Sequence, residues 1–384
     1  MRIQFDNRLS QSSRMRRLLP HFGFIVAMTL TPCFAAAQES TPAKPPEMIS
    51  SERVPFFDDW FASPHAKADA TAFTNWNVQR EIPEACARCH STPGFLDYIG
   101  ADGTAAGSVE KKASVGTVIE CSACHNETTR RMTSVTFPSG HRIEDLGAEA
   151  RCMTCHQGRE STLSVNRAVA GIGDDTVSPE LTFLNIHYRA AGATLMGSLA
   201  HGGYEYEGRS YASQRRHAAP FNTCISCHDP HTVEVKVEPC ASCHEGVADR
   251  KSLRAIRKSK VDHDGDGNVT EGIAAEITAL HDDLLEAIKT YGKDVAGAAI
   301  AYDGHAHPYF FNDLNANGSV EKDEAIPPNK YVSWTPRLLR AAYNYQFVAK
   351  DPGAYAHNAP YVLQLLHDSL ANLDENRIQG LVRP

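Results

Sequence analysis

Five copies of one pattern, two cysteines three residues apart with a histidine directly after the second, use ten of the 11 cysteines in the chain. The cysteines are Cys86, Cys89, Cys121, Cys124, Cys152, Cys155, Cys224, Cys227, Cys240 and Cys243, and the histidines are His90, His125, His156, His228 and His244. Two thiols at this spacing can bond to the two vinyl groups of a haem, and the adjacent imidazole can then bind the iron. The pattern therefore predicts five covalent haem c groups.

Disulfides, redox dithiols and zinc sites also use paired cysteines, so the cysteine spacing alone does not decide the chemistry. The histidine that follows every cysteine pair favours haem over these alternatives. With 18 histidines in 384 residues, five such coincidences by chance have a probability on the order of one in a few million. Because all cysteines beyond Cys33 belong to the five motifs, we expect no disulfide in the mature protein.

The second axial ligand of each iron decides between electron transfer and substrate chemistry. An iron with two protein ligands has no free coordination position, whereas an iron with one can bind a substrate. Twelve histidines lie beyond residue 37 and outside the motifs. The favoured distal ligands are His231, His217, His187, His65 and His357, with His141 and His201 as substitutes. For each of them an ordinary surface histidine remains the alternative. His281 and His367 lie next to aspartates on predicted helices and are expected on solvated faces.

Two acidic loops in the last third of the chain resemble the calcium loop of EF-hands. The better match runs from 313 to 324, with oxygen ligands at Asp313, Asn315, Asn317, Ser319 and Glu324. The other begins with Asp262, Asp264, Asp266 and Asn268, but Ile273 occupies the twelfth position, where a bidentate carboxylate is expected. Both loops are predicted calcium sites, and the alternative is a pair of solvated Asx-rich turns.

Short elements and loops dominate the cysteine-rich part, whereas the last third has helical periodicity. Runs rich in β-branched residues at 114–119, 132–137 and 231–237 predict short strands. Apolar residues from Ile277 to Tyr291 recur at helical spacing, and two more helices are predicted at 336–348 and 361–373. The expected fold class is mainly α, with much coil and few short β hairpins: a multihaem cytochrome c architecture plus a small helical C-terminal domain. The predicted division is a signal peptide at 1–37, a Pro-rich linker at 38–53, a pentahaem domain at 54–250 and a helical domain at 251–384.

The first 37 residues combine five arginines, an apolar run and a small-residue cleavage site, which is typical of a secretory signal peptide. Its removal takes away five Arg and one Asp, so the net charge moves from −8 to −12. An acidic chain offers no basic surface for nucleic acid. We therefore expect a protein exported across the inner membrane, periplasmic or outer-membrane-associated.

With its five motifs, the segment 56–247 resembles the multihaem c-type cytochromes of respiratory bacteria. The stretch from Leu184 through Cys224-Ile-Ser-Cys227-His228-Asp-Pro-His231 is similar to those of metal-respiring or metal-oxidising organisms. The resemblance implies haems with two histidine ligands, stacked in pairs, and supports His187, His217 and His231 as distal ligands. Nitrite-reducing relatives replace one motif histidine by lysine, and this chain does not, which counts against an enzymatic role.

These features favour an electron-transfer protein of a respiratory chain outside the cytoplasm, rather than an enzyme. Its expected partners are redox proteins such as a membrane quinol dehydrogenase or outer-surface cytochromes. Two alternatives stay open. One is an oxidoreductase acting on a small inorganic substrate at one open haem. The other is a homo-oligomer or filament-forming cytochrome subunit, because some relatives polymerise.

Overall fold

The computed structural model describes residues 54–384, so the predicted signal peptide and linker lie outside the described residues. This part of the chain combines helices with three two-stranded antiparallel hairpins and long connecting loops. The predicted fold class, mainly α with much coil and few short hairpins, is confirmed.

Between residues 54 and 242 the structure has eleven short helices, most of them only one or two turns long. They are α1 Phe57–Ala62, α2 Thr71–Thr74, α3 Glu84–His90, α4 Thr92–Tyr98, α5 Cys121–Cys124, α6 Glu127–Arg131, α7 Glu149–Cys155, α8 Thr162–Val169, α9 Ala191–Met196, α10 Cys224–Cys227 and α11 Glu238–Ala241. Single 3₁₀ turns cover Gly197–Leu199, Ser252–Ala255, Pro327–Asn329 and Glu375–Ile378. Isolated helices this short are marginal in water, so neighbouring packing and bound groups must hold them.

Three longer helices form the C-terminal part: α12 Ile273–Asp294, α13 Pro336–Ala349 and α14 Ala354–Leu373. The Thr335 side chain accepts a hydrogen bond from the Leu338 N–H and so caps α13, with Pro336 at its first position. Helix α14 begins earlier than predicted, at Ala354, and is interrupted at Asn358, two residues before Pro360. That proline cannot donate a backbone hydrogen bond, which favours a break at this point.

The strands are shorter than the predicted runs. Two of the hairpins pair β1 Glu81–Ile82 with β2 Ala113–Ser114, and β3 Val135–Thr136 with β4 Arg142–Ile143. The run at 231–237 contributes one isolated bridge, between His228 and Val235. A third hairpin, β5 Ile300–Tyr302 with β6 Phe310–Asn312, was not predicted from the sequence.

One hydrophobic core joins the cysteine-rich part to the C-terminal helices. It contains Met153 and Met196 from the former and Trp334, Tyr343 and Tyr361 from the latter, all at most 1% exposed. The predicted boundary between 250 and 251 therefore runs through a chain whose two sides share a core, and it stays a prediction. Among the residues described, no helix combines the length and apolar character that crossing a bilayer requires.

Two histidines expected in solvent pack inside this C-terminal part. His367 is 7% exposed, and its Nδ1 lies 3.3 Å from an Asp368 carboxylate oxygen. The ring of His281 stacks on Tyr345 with centroids 4.0 Å apart and bonds to the Tyr345 carbonyl. The prediction of solvated faces was wrong for both: the neighbouring Asp368 on the same helix is the polar partner of His367, and the Tyr345 carbonyl on α13 is that of His281.

Candidate haem-binding sites

A helical turn shapes each of the five motifs. In four of them the backbone N–H of the histidine donates to the carbonyl of the first cysteine, at 2.8 to 3.0 Å: His125 to Cys121, His156 to Cys152, His228 to Cys224 and His244 to Cys240. In the first motif, α3 contains the whole pattern. Residues three and four apart share one face of a helix, so this turn brings both thiols and the imidazole to one side. Within residues 54–384, no disulfide joins any two of the ten motif cysteines.

Each motif histidine faces a different one of the five predicted distal histidines. The ring centroids are 5.7 Å apart for His90 and His187, 6.1 Å for His125 and His231, 6.3 Å for His156 and His65, 6.5 Å for His228 and His357, and 6.2 Å for His244 and His217. The Nε2 atoms of His90 and His187 are 3.4 Å apart. Two imidazoles bound to opposite sides of one iron place their centroids roughly 6 Å apart, because each metal–nitrogen bond is about 2 Å long. The ring separations of the five pairs therefore suit two histidine ligands of one haem iron.

Backbone carbonyls fix the orientation of three motif histidines through the nitrogen that points away from the partner ring. The Nδ1 atom of His90 bonds to the Ala72 carbonyl at 2.8 Å, that of His156 to Arg189 at 3.0 Å and that of His228 to Val233 at 3.4 Å. A ring that donates from Nδ1 keeps an unprotonated Nε2, which is the atom a metal needs.

Burial keeps most of these rings uncharged. It lowers the pKa of His65 to about 4, with a further contribution from nearby His156, and it lowers the pKa of His187 to about 4, with a contribution from His90. The pKa values of the motif histidines 90, 156, 228 and 244 are also lowered, chiefly by burial. Desolvation disfavours the imidazolium form. In these six rings the shift favours the neutral imidazole, which can donate a lone pair to a metal.

His357, the distal candidate on the C-terminal helix α14, differs from these six histidines in the direction of its pKa shift. Burial acts against the charged form of His357, but the attraction and the hydrogen bond of Asp351 outweigh it, so the pKa of His357 is raised. Its Nδ1 lies 2.8 Å from the buried Asp351 carboxylate. A carboxylate on the second ring nitrogen is a common support for metal-binding histidines and makes the ring a stronger donor. Thus α14 contributes directly to the site of the fourth motif.

Loops that carry the other distal histidines are held by hydrogen bonds. The His65 carbonyl accepts from the Ile119 N–H at 3.1 Å, which ties this loop to the segment before the second motif. The backbone of His187 has a positive φ of 77°, and its N–H donates to the Asn185 side chain. The N–H of His231 donates to the Asp229 carboxylate at 2.9 Å.

Among the described residues, the third motif contacts the first, second and fourth motifs, whereas the fifth is linked to the fourth. The Cys155 sulfur lies 3.7 Å from the Arg88 carbonyl oxygen of the first motif, and Glu149, on α7 with the third motif, accepts from the Cys224 N–H of the fourth at 2.8 Å. The Arg151 guanidinium donates to the Cys124 carbonyl of the second motif at 3.1 Å.

Lys236 links the last two motifs. Its N–H donates to the Cys227 carbonyl at 2.8 Å, and its own carbonyl accepts from the Cys240 thiol at 3.6 Å. The motif contacts therefore branch at the third motif and end at the fifth.

Comparison with known proteins agrees with this arrangement. Residues 71–157, which contain the first three motifs, match the family described as cytochrome c7 and related cytochrome c. The chain is similar to multihaem c-type cytochromes. It is 27% identical over 362 residues to the C-type polyheme cytochrome OmcB of Geobacter sulfurreducens, covering 78% of this chain and 45% of that protein. It is 26% identical over 385 residues to OmcC of the same species, covering 82% of this chain and 46% of that protein.

The chain thus spans about half the length of the curated relatives it matches. No solved structure matches it.

In the first acidic loop, the structure brings in a carboxylate that sequence reasoning missed. Oxygen atoms of Asp262, Asp264 and Glu276 lie within 4.8 Å of one another, as do those of Asp264, Asp266 and Glu271. Glu276 is fully buried on α12, three residues after the EF-hand position that Ile273 occupies. It also accepts from the His263 and Asp264 N–H groups and pairs with Arg257. Burial, followed by neighbouring carboxylates, raises the pKa of Asp264 to about 6.

In the second acidic loop, the carboxylates close the loop through backbone hydrogen bonds. Asp313 accepts from the Asn317 and Gly318 N–H groups at 3.2 and 2.7 Å. Glu324, 3% exposed, accepts from the Leu314 and Glu321 N–H groups at 2.8 and 3.1 Å. The first and last predicted ligands are thus both turned into the loop.

Proposed function

We propose that this cytochrome carries five haem c groups and functions as an electron-transfer protein of a respiratory chain outside the cytoplasm. Haem c supplies a one-electron iron couple whose potential depends on axial ligands, burial and hydrogen bonding. The observation that carries the proposal is the pairing of every motif histidine with a second histidine at a separation that suits two ligands of one iron.

In this proposal the motif cysteines attach the five groups, and His90, His125, His156, His228 and His244 are the proximal ligands. The distal ligands, in the same order, are His187, His231, His65, His357 and His217. Two histidine rings per group would leave no coordination position of the iron open to small molecules. Such sites favour electron carriage over substrate chemistry.

The oxidised protein tests this function. We expect absorption and electron paramagnetic resonance spectra with low-spin iron only, no change on adding nitrite, hydroxylamine or sulfite, and five haems per chain. A high-spin component that responds to one of these molecules would instead support an oxidoreductase with one open haem. Particles longer than a monomer in size-exclusion chromatography and electron microscopy would support a filament subunit.

The branched motif contacts support a central position for the third motif. Because the first, second and fourth motifs each contact it, we propose that it connects the first two with the last two. The fifth motif ends the series, and its Cys243 is exposed. We propose this end as one place where a partner exchanges electrons.

The partners we propose are redox proteins, and their docking faces are expected to be basic. The mature chain carries a calculated net charge near −12 once residues 1–37 are removed, and opposite charge accelerates association. A quinol dehydrogenase or another multihaem cytochrome would provide such a partner. The relatives OmcB and OmcC are themselves polyheme cytochromes, which supports the second class.

We also propose that calcium binds the two acidic loops, through Asp262, Asp264, Asp266 and Asn268 in one and Asp313, Asn315, Asn317, Ser319 and Glu324 in the other. The hard carboxylate and amide oxygens at EF-hand spacing support this choice of ion. The proximity of Asp262, Asp264 and Glu276 adds support for the first loop.

Removing calcium is expected to lower the melting temperature of the haem-loaded protein, because a bound ion stabilises the state that holds it. The measurement is thermal unfolding with EDTA against excess calcium. In the control variant Asp264→Asn with Asp313→Asn, EDTA should cause a much smaller shift. An unchanged melting temperature of the unmodified protein with EDTA would contradict both calcium sites.

A further inference from the structure

A sixth histidine pair differs from the five at the motifs. The ring centroids of His141 and His201 are 4.6 Å apart, with planes inclined by 49°. That distance is too short for two ligands on opposite sides of one iron. It suits two imidazoles in neighbouring positions around one ion, whose centroids are separated by about 4.5–5 Å when metal–nitrogen bonds are about 2 Å long. Neither histidine belongs to a motif.

Both rings are oriented through Nδ1. The Nδ1 atom of His201 bonds to a Glu205 carboxylate oxygen at 2.7 Å, and that of His141 bonds to the Ser139 hydroxyl at 3.2 Å. Within residues 54–384, the hydrogen bonds of these two rings involve only Nδ1, which leaves both Nε2 atoms for another partner. Metal-binding histidines characteristically use the second nitrogen in this way.

Buried groups support the His201 side. The other carboxylate oxygen of Glu205 accepts from the hydroxyl of Tyr361, a fully buried residue, at 2.9 Å. The Glu205 N–H donates to the Thr162 hydroxyl, and the Thr162 N–H donates to the His201 carbonyl. This network holds the His201 ring and its carboxylate in place from two directions, so the site is ordered before any ion binds.

The hairpin between β3 and β4 presents His141. The Phe137 N–H donates to the His141 carbonyl at 2.9 Å, and Phe137 is 2% exposed within the main core. Ser139, 7% exposed, anchors both the backbone and the ring of His141. His141 itself is exposed and His201 is half-buried, so an ion can reach both from solvent.

We propose that the Nε2 atoms of His141 and His201 together bind one divalent transition-metal ion of the zinc, nickel and copper class, with water completing its coordination. Imidazole suits these ions, whereas calcium and magnesium prefer oxygen. The site is separate from the five motifs and from the two acidic loops. It does not depend on the proposed electron-transfer function.

Isothermal titration calorimetry with zinc, on the full haem-loaded chain in excess calcium, tests the site. We expect one zinc ion per chain in the unmodified protein, lost in His141→Ala and in His201→Ala. His305→Ala, which removes an exposed histidine elsewhere, should retain it. Glu205→Gln should weaken zinc binding by about 10- to 100-fold, because the carboxylate orients His201.

Zinc binding that persists in either single variant, or no zinc binding at all, would overturn the proposal. So would equal loss in His305→Ala, which would show scattered surface binding. Haem absorption and circular dichroism establish whether each variant is folded. If His201→Ala is misfolded, His141→Ala decides alone, since its side chain lies on the exposed hairpin and the core does not depend on it.

Discussion

His187→Ala is expected to make one haem iron in five high-spin while all five haems stay attached. The substitution removes the ring whose Nε2 lies 3.4 Å from that of His90, but leaves Cys86 and Cys89 in place. With one protein ligand lost, water or nothing occupies the sixth position and the ligand field weakens. Absorption and electron paramagnetic resonance spectra of the oxidised protein, with haem quantitation, measure both quantities.

The matched control is His305→Ala, an exposed histidine with no motif histidine beside it, which should stay fully low-spin. Added imidazole should restore the low-spin signal of His187→Ala, because it can enter the space that the side chain leaves. A fully low-spin His187→Ala protein with five haems would show that another residue holds this position. Loss of haem attachment would instead point to a maturation defect, and His231→Ala then repeats the test at the second motif.

The double variant Cys152→Ala/Cys155→Ala is expected to be far less stable than Cys240→Ala/Cys243→Ala, although each should lack one haem. The third motif lies on α7, whose Ala150 and Met153 are at most 1% exposed and belong to the main core. In contrast, α11 of the fifth motif has no buried residue. Loss of the central group removes contacts from three neighbouring motifs, and we expect a cost of about 3–5 kcal/mol.

Thermal unfolding measures this difference. At roughly 2–4 °C per kcal/mol for chains of this size class, the third-motif variant should melt about 10 °C below the fifth-motif variant. A spectroelectrochemical titration adds a second measurement, because charges on adjacent groups shift one another's potentials. Removing the central group should displace the potentials of three neighbours, and removing the terminal one only that of the fourth motif. Equal melting temperatures together with equal shifts would contradict the branched arrangement.

Haem attachment could be predicted from the sequence because it depends on residues that are close together along the chain. Two thiols and an imidazole within five residues need only one helical turn to reach the same haem. The local sequence pattern is therefore enough to predict the attachment. The helices at the C-terminus were also predictable, because an apolar stripe such as Ile277 to Tyr291 repeats with the helical period. Their limits were less certain, and α14 begins seven residues before its predicted start at Tyr361.

Long-range packing decided everything that joins distant residues. The five distal histidines were candidates from the sequence, but which motif each one faces depends on loops that bring together residues such as His90 and His187, 97 positions apart. Glu276 joins Asp262 and Asp264 because α12 turns its buried carboxylate toward the loop, which a twelve-residue pattern does not include. His141 lies on a hairpin and His201 in a turn, and no sequence pattern predicts that these two segments are neighbours.

The sequence by itself thus determined the attachment chemistry that is open to this protein: five motifs of two cysteines and a histidine, whose spacing suits haem c. The tertiary structure alone decided the partners of those motifs, their branched contacts and the shared core between the cysteine-rich and helical parts. The reason is physical. Thioether attachment depends on the spacing of neighbouring residues, whereas the pairing of two imidazoles depends on how the whole chain packs.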